Sequence, residues 1–246
     1  MRSGAELDAA WVLHRRSWRD TSLLVELLTA GYGRVGAVAR GARAPRSRWR
    51  GVLEPFQAVF VDWRGRGELV TLSVAEPAPG SASLRGTRLA AGFYLSELCL
   101  RLLARMDPVP EIHAAYGAAL QALSSATEPE DAALRRFERD QLAALGYGLL
   151  LETTADGDTL VKRDRQYRYE LELGPRPDEG QGGVSISGAA LLALARDEPA
   201  TPAERAEQQR LTGAALRLYL GPRPLQSRAL YSSLRRCGHD LQEDPA

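Results

Sequence analysis

One stretch of the chain combines positive charge with an aromatic residue and contains no acid. It holds six arginines and one tryptophan, namely Arg34, Arg40, Arg43, Arg46, Arg48, Trp49 and Arg50. Guanidinium forks match phosphate oxygens, and an aromatic ring gives an exposed base a surface to stack on. We therefore predict that these seven residues form a DNA-binding strip, with Trp49 either stacking on bases or packing in the fold. The alternative is a solvated loop that serves only solubility.

A second candidate site is the segment Leu134–Arg139. On a helix, Leu134 and Phe137 fall on one apolar stripe, while Arg135 and Arg139 are neighbours one turn apart. One interpretation is an amphipathic bundle helix with a basic outer face. The other interpretation is a binding surface formed by these residues.

Residues that could perform catalysis or hold a metal are scattered. The three histidines lie in different predicted elements, and the two cysteines, Cys99 and Cys237, form no CxxC pair. HExxH, GxSxG and Walker-type motifs are absent, and no acidic cluster suggests a Mg²⁺ site, which argues against a nuclease. We therefore expect a protein that is not an enzyme and that needs no metal or nucleotide cofactor.

The charge of the chain is unevenly distributed. The formal net charge is only +1, but residues 1–80 hold twelve arginines against eight acids, whereas the rest of the chain is slightly acidic. With 44% hydrophobic residues, the 246-residue chain can bury a core. We see neither a membrane-spanning apolar run nor the apolar region of a signal peptide, so we expect a cytoplasmic protein.

The elements that must position these residues change type near residue 80. Five short runs rich in Val and Leu come first, at residues 10–16, 21–29, 34–40, 56–63 and 68–75. Turns separate them, and one long loop, residues 41–53, follows the third run. Such a pattern predicts a small closed barrel, for which the five-stranded OB-fold is the obvious candidate. On the third strand, Val35, Ala37 and Ala39 should share one face, and Arg34 and Arg40 the other.

Beyond residue 80 the apolar spacing becomes helical. Helices are predicted over 84–105, 110–123 and 132–145, the last capped by Gly146. A polar insertion follows, with strands at 149–152 and 167–173 and a loop over 175–183. Helices return over 187–196 and over 201–220, where Thr201 and Glu204 form a capping box, and Ser227 caps a last helix to Arg236.

The predicted fold class is therefore α+β. An OB-fold nucleic-acid-binding domain should cover residues 1–80, followed by an α-helical domain over 81–246. That second domain should consist of a helical bundle (84–146), a small irregular or β insertion (147–186) and C-terminal helices (187–237).

The order of short motifs along the chain resembles the bacterial RecO family of DNA repair and recombination mediators. The resemblance runs from about Trp11 to about Leu234. Ten motifs carry it: Val12–His14, Thr21–Leu23, Gly33–Val35, Ala39–Arg43, Leu53–Phe56, Gly65–Glu68, Tyr94–Leu98, Leu134–Glu138, Leu145–Gly148 and Tyr219–Arg228. Each motif alone is weak, but ten in order are specific. Some relatives carry a four-cysteine zinc site near residues 149–169, where this chain has no cysteine, so it resembles the zinc-free branch.

The resemblance implies an N-terminal OB-fold followed by helical parts, in a bacterial, nucleoid-associated protein. It implies binding to single- and double-stranded DNA, annealing of complementary strands, and cooperation with RecR in loading RecA onto strands coated by the single-stranded DNA-binding protein. It also implies binding to the acidic, apolar-ended C-terminal tail of that coating protein. With this partner granted, we predict that Arg135, Phe137 and Arg139 form the peptide site, Arg135 gripping the terminal carboxylate. The alternative is a structural adaptor that binds no DNA and acts through its helical domain.

Overall fold

The computed structural model describes residues 7–125, 128–178, 180, 182–227 and 230. The chain divides into two compact units, residues 1–127 together with 224–246, and residues 128–223. Below they are called unit 1 and unit 2. The last predicted helix, from Ser227 to Arg236, falls largely outside the described residues.

Five strands of unit 1 close into a barrel. They are β1 (Asp8–Trp18), β2 (Ser22–Thr29), β3 (Gly33–Ala39), β4 (Ala58–Arg64) and β5 (Leu69–Pro77). Their order is β1-β2-β3-β5-β4, and pairing of β1 with β4 closes the ring. Strand β3 pairs with β5 in parallel, while the other neighbours are antiparallel. The five-stranded OB-fold barrel predicted from the sequence is confirmed.

Alternation along the strands fills the barrel. Val35, Ala37 and Ala39 point inward and are buried, as predicted, and Val25 and Leu27 of the neighbouring strand face the same core. The two arginines at the ends of this stretch lie on the outer face. The spacing of β3 thus predicts the inner surface correctly.

Where unit 1 is described, two helices follow the barrel, α1 (Gly86–Leu102) and α2 (Pro110–Ser124). They pack on each other, and a buried hydrogen bond of 2.8 Å joins the hydroxyls of Ser96 and Tyr116. Both helices also pack against β1, where the Trp11 ring lies so close to Gly117 that a Cβ would come within 2.7 Å of it. Only glycine permits this approach.

The segment after α1 returns to the barrel through Arg105. Its guanidinium lies directly on Gly36 of β3, where an added Cβ would stand 2.2 Å from Nη1. There it donates to a Glu26 carboxylate oxygen and to the Glu68 carbonyl. The lack of a side chain at position 36 therefore makes room for an ion pair across the outer face of β2 and β3.

Unit 2 contains three helices and a small sheet. The helices are α3 (Glu130–Ala144), α4 (Gly188–Arg196) and α5 (Pro202–Leu220), and the strands are β6 (Gln166–Glu170), β7 (Gly174–Pro177) and β8 (Val184–Ser187) in the order β7-β6-β8. The capping box is confirmed, because Thr201 Oγ1 accepts from the Glu204 N–H and the Glu204 carboxylate accepts from the Thr201 N–H.

The polar insertion departs from the prediction in several places, since β6 ends at Glu170 rather than at residue 173 and β8 was not predicted. Residues 149–152 form no strand; instead Thr153 and Leu160 make an isolated bridge. Residues 175–177, predicted as part of a loop, belong instead to β7, although two of these residues are prolines. Strand β7 lies at the edge of its sheet. An outward-facing N–H of an edge strand has no partner strand to bond to, so proline, which lacks this N–H, is tolerated there. No helix of the described ranges is long and apolar enough to cross a membrane.

Candidate nucleic-acid interface

The loop between β3 and β4 covers one part of the barrel core with a series of turns, and Trp49 is one of its inward residues. This side chain is 5% exposed and belongs to the barrel core. Its Nε1–H donates to the Arg40 carbonyl at 3.1 Å, which satisfies the one polar atom of the indole. Of the two alternatives for Trp49, stacking on bases or packing in the fold, the structure has the second, because the ring fills the core.

The arginines of the same loop face outward, and we call Arg40, Arg43, Arg46, Arg48 and Arg50 the arginine loop. All five are exposed, and none forms an ion pair with an acid among the described residues. Several make hydrogen bonds to carbonyls: Arg48 to Ser73 at 2.9 Å, and Arg50 to Pro45 at 2.7 Å. Carbonyl partners orient a guanidinium without neutralising it, so the positive charge of the arginine loop remains available to an anion.

Arg48 also lies over the indole of Trp49, with the guanidinium carbon 4.2 Å from the ring centroid. The buried ring thus supports the exposed cation above it. Arg48 at the surface and Trp49 in the core, which are adjacent in sequence, therefore stack on each other.

Arg34 does not belong with the arginine loop. It lies on the outer face of β3 but is covered, with a side-chain exposure of 17%, and it donates to the Leu100 carbonyl at the end of α1. Its Nε lies 3.9 Å from a carboxylate oxygen of Glu26. Burial lowers the pKa of Arg34, and Glu26 opposes this shift. The prediction that Arg34 contacts DNA is corrected: this side chain ties α1 to the barrel.

The turn between β1 and β2 adds residues that the sequence pattern missed. The Arg43 N–H donates to the Thr21 carbonyl at 2.7 Å, and its guanidinium donates to the carbonyls of Arg19 and Asp20 at 3.3 Å each. The hairpin tip therefore rests on the arginine loop. Exposed Arg16 and Arg19 come with it. Asp20 and more than one strand separate Arg16 and Arg19 from Arg40 in the sequence. The acid-free run of arginines therefore did not include them.

In unit 2, the three residues predicted to bind a partner peptide make contacts with other residues of the same unit. Arg135 is 5% exposed and pairs with the buried carboxylate of Glu138, and Phe137 is 1% exposed. Glu138 also accepts from Thr212 of α5. The expectation of a surface arginine beside an accessible apolar floor is corrected, because α3 turns both Arg135 and Phe137 inward.

Arg139 caps the end of α4. Its Nη1 donates to the Leu194 carbonyl at 2.5 Å and to Oδ1 of Asp197 at 2.8 Å, and its Nη2 lies 3.3 Å from Oδ2. Arg136 reaches the same carboxylate with a distance of 3.3 Å from Nε to Oδ1. Two guanidiniums of α3 therefore converge on one carboxylate, which is 46% exposed. We call Arg136 and Arg139 the carboxylate fork.

The pKa values of the fork fit this arrangement. A hydrogen bond to Glu128 and the interactions with Asp197 raise the pKa of Arg136. For Arg139, burial lowers the pKa, but hydrogen bonds to Asp197 and Asp140 outweigh it and raise the pKa. Both groups stay charged, and both are oriented to hold a carboxylate. In the described ranges no three His, Cys, Asp or Glu side chains cluster as a metal site would require.

Two family models match the chain. Residues 1–80 match the model described as Recombination protein O N terminal, and residues 84–229 match Recombination protein O C terminal. The DNA repair protein RecO of Alkalilimnicola ehrlichii is 53% identical over 232 residues, covering 92% of this chain and 91% of that protein. Proteins of the same name from Halorhodospira halophila and Nitrosococcus oceani are 46% and 43% identical, each covering 95% of this chain and 99% and 95% of their own lengths.

Proposed function

Because the chain belongs to the RecO family of DNA repair proteins, we propose that it is a recombination mediator that binds single- and double-stranded DNA and anneals complementary strands. With RecR, it then helps to load RecA onto strands coated by the single-stranded DNA-binding protein. The observation that carries the proposal is the arginine loop on a small barrel: five exposed cations without an acidic partner in the described part of the chain.

The mechanism follows from what annealing requires. Two polyanions must approach each other, so the protein must screen their phosphates while leaving base edges free to pair. Exposed arginines at the outside of the barrel can hold phosphates without enclosing the bases. The hairpin tip extends this charged surface, because Arg43 holds it beside the loop. The proposed activity needs binding alone, and no bond is made or broken by the protein.

For the acidic tail of the coating protein we propose the carboxylate fork of unit 2. The sequence assigned this contact to Arg135, Phe137 and Arg139, and of these Arg139 keeps a role in the proposal. Asp197 shows that the fork accepts a carboxylate, and a tail carboxylate could take its place. Such an exchange costs little free energy, because the displaced Asp197 carboxylate is partly exposed and returns to water.

The test of the DNA-binding proposal is titration of fluorescent single- and double-stranded oligonucleotides at several salt concentrations. Annealing of complementary strands that carry the coating protein is then followed with and without the chain. We expect binding that weakens steeply with salt and annealing that depends on the chain. Absence of binding at low salt would contradict the proposal and leave the adaptor function, acting through helical surfaces.

A further inference from the structure

Trp18 stands at the last paired position of β1, opposite Ser22 of β2, where the hairpin turns. It is half-buried. Other tryptophans have structural tasks, since Trp11 packs on Gly117, Trp49 fills the barrel core, and Trp63 meets Tyr32 edge-on against that core. Trp18 is not part of that core. A large aromatic side chain therefore stands at the hairpin tip without a role in filling the barrel.

Arginines stand on both sides of Trp18 in the hairpin, and Asp20 is the acid of the same turn. The Arg16 guanidinium lies over the Trp18 ring, with its carbon 5.6 Å from the ring centroid, and Arg19 follows in the turn with a φ of 51°. Arg43 binds the carbonyls of this turn, so the arginine loop and Trp18 belong to one surface. An aromatic ring and several guanidiniums side by side are the combination that single-stranded nucleic acids use: phosphates pair with the cations and a base stacks on the ring.

We propose that Trp18 is a stacking platform for one unpaired base of a single strand whose phosphates lie on the arginine loop. This inference rests on the DNA binding proposed above and adds a preference for strand type. A stacking platform needs a free base face, and in a duplex both faces of each internal base are covered by its neighbours. The arginines serve both kinds of DNA, whereas Trp18 serves the single strand.

The size of the effect follows from known stacking contributions. Removing one aromatic platform weakens binding of a single strand by about ten- to a hundredfold. Duplex affinity should stay close to that of the wild type. The salt dependence of single-strand binding should stay the same, because the number of phosphates held is unchanged.

The experiment compares wild type, Trp18→Ala, Trp18→Phe and Phe60→Ala in full-length protein. Phe60 is a matched control: it is an exposed aromatic residue on β4, paired with Ala9 at the opposite end of β1. Affinities for a single-stranded oligonucleotide and for its duplex are measured at the same salt concentration. We expect a selective loss of single-strand affinity for Trp18→Ala, affinity near wild type for Trp18→Phe, and no change for Phe60→Ala.

Tryptophan fluorescence provides a second measurement that does not depend on the alanine variant folding. Single-strand binding should quench the wild-type emission, and Trp18→Phe should remove most of that quenching while keeping the affinity. Equal losses for both kinds of DNA, or unchanged single-strand affinity in Trp18→Ala, would overturn the platform while leaving the arginine loop intact. Quenching that persists in Trp18→Phe would do the same. A wild-type chain that binds neither DNA would overturn the platform and the proposed function together.

Discussion

The carboxylate of Glu97, on α1, accepts two hydrogen bonds from Ser227, one from the hydroxyl at 2.6 Å and one from the backbone N–H at 2.9 Å. The Gln226 N–H donates to the same carboxylate at 2.9 Å. Residues 97 and 227, which are 130 positions apart in the sequence, are thereby joined within unit 1. The Glu97 carboxylate therefore anchors residues 226 and 227 to α1.

The stabilising effect of the Glu97 hydrogen bonds should depend on pH. Burial raises the pKa of Glu97, but hydrogen bonds from Ser227 and Gln226 outweigh it, so the pKa lies below its ordinary value. A carboxyl with a lowered folded-state pKa stabilises the fold above its unfolded-state pKa and loses that contribution as the pH falls through the folded value. Glu97→Gln should therefore be less stable than wild type near neutral pH, and the difference should shrink below about pH 4. Urea unfolding across this pH range tests it; a constant difference would refute the assignment.

Reversal of Arg40 and Arg43 to Glu should weaken binding of single-stranded DNA and flatten its salt dependence. Each phosphate that the protein no longer neutralises reduces the slope of log K against log salt by about 0.7, so two such phosphates reduce it by about 1.4. Titrations at several salt concentrations measure both quantities. The control reverses Arg210 and Arg217, two exposed arginines on α5 of unit 2. The same slope in wild type and the Arg40/Arg43 variant would remove the arginine loop from the interface.

Trp49→Ala should lower stability without acting on DNA directly. The ring is buried and hydrogen-bonded, and truncation of such a side chain costs about 3–5 kcal/mol. Denaturant unfolding measures the loss, and DNA affinity is measured at a temperature where the variant is folded. Arg48→Ala, which removes the cation above the ring and its exposed hydrogen bond to the Ser73 carbonyl but leaves the ring in place, is the matched comparison and should unfold near the wild-type midpoint. A Trp49→Ala protein of normal stability with weakened DNA binding would show that the ring contacts bases after all.

Gly36→Ala should destabilise unit 1 by displacing Arg105 from Glu26, at a cost of about 1–3 kcal/mol. The physical reason can be isolated in a double-mutant cycle with Arg105→Ala. If the methyl group acts by moving this guanidinium, Gly36→Ala should cost much less once Arg105 is gone. Unfolding free energies of the four proteins decide it. Additive effects would mean that the glycine is needed for another reason.

Asp197→Asn should strengthen binding of the acidic tail peptide severalfold, because it removes the one carboxylate that Arg136 and Arg139 share, while Glu128 and Asp140 remain in both proteins. Asparagine accepts the left-handed backbone of position 197, where φ is 55°, so the end of α4 is preserved. Arg139→Ala should weaken tail binding about ten- to a hundredfold. Calorimetric titration measures both, with DNA binding as the control. Unchanged tail affinity in Asp197→Asn would place the peptide elsewhere on the protein.

Local pattern in the sequence was enough to predict the barrel strands and the capping box of α5. Alternation predicted the inner face of β3, and the Thr201–Glu204 spacing predicted the start of its helix, because each depends on residues only a few positions apart. The family followed from short motifs in order. The arginine loop was also visible as a run without acids.

Tertiary structure decided which of those residues are accessible and what joins them. Arg34 and Trp49 belong to the same run as Arg40, yet barrel closure buries Trp49 and α1 covers Arg34. On α3, the stripe position of Phe137 was correct, but packing against α5 turned Arg135 inward to Glu138 as well. The contact of Arg43 with the β1–β2 turn depends on strand register. The contact of Arg139 with Asp197 depends on helix packing. Residue spacing fixes which side chains share a face, whereas only the packed chain fixes what that face meets.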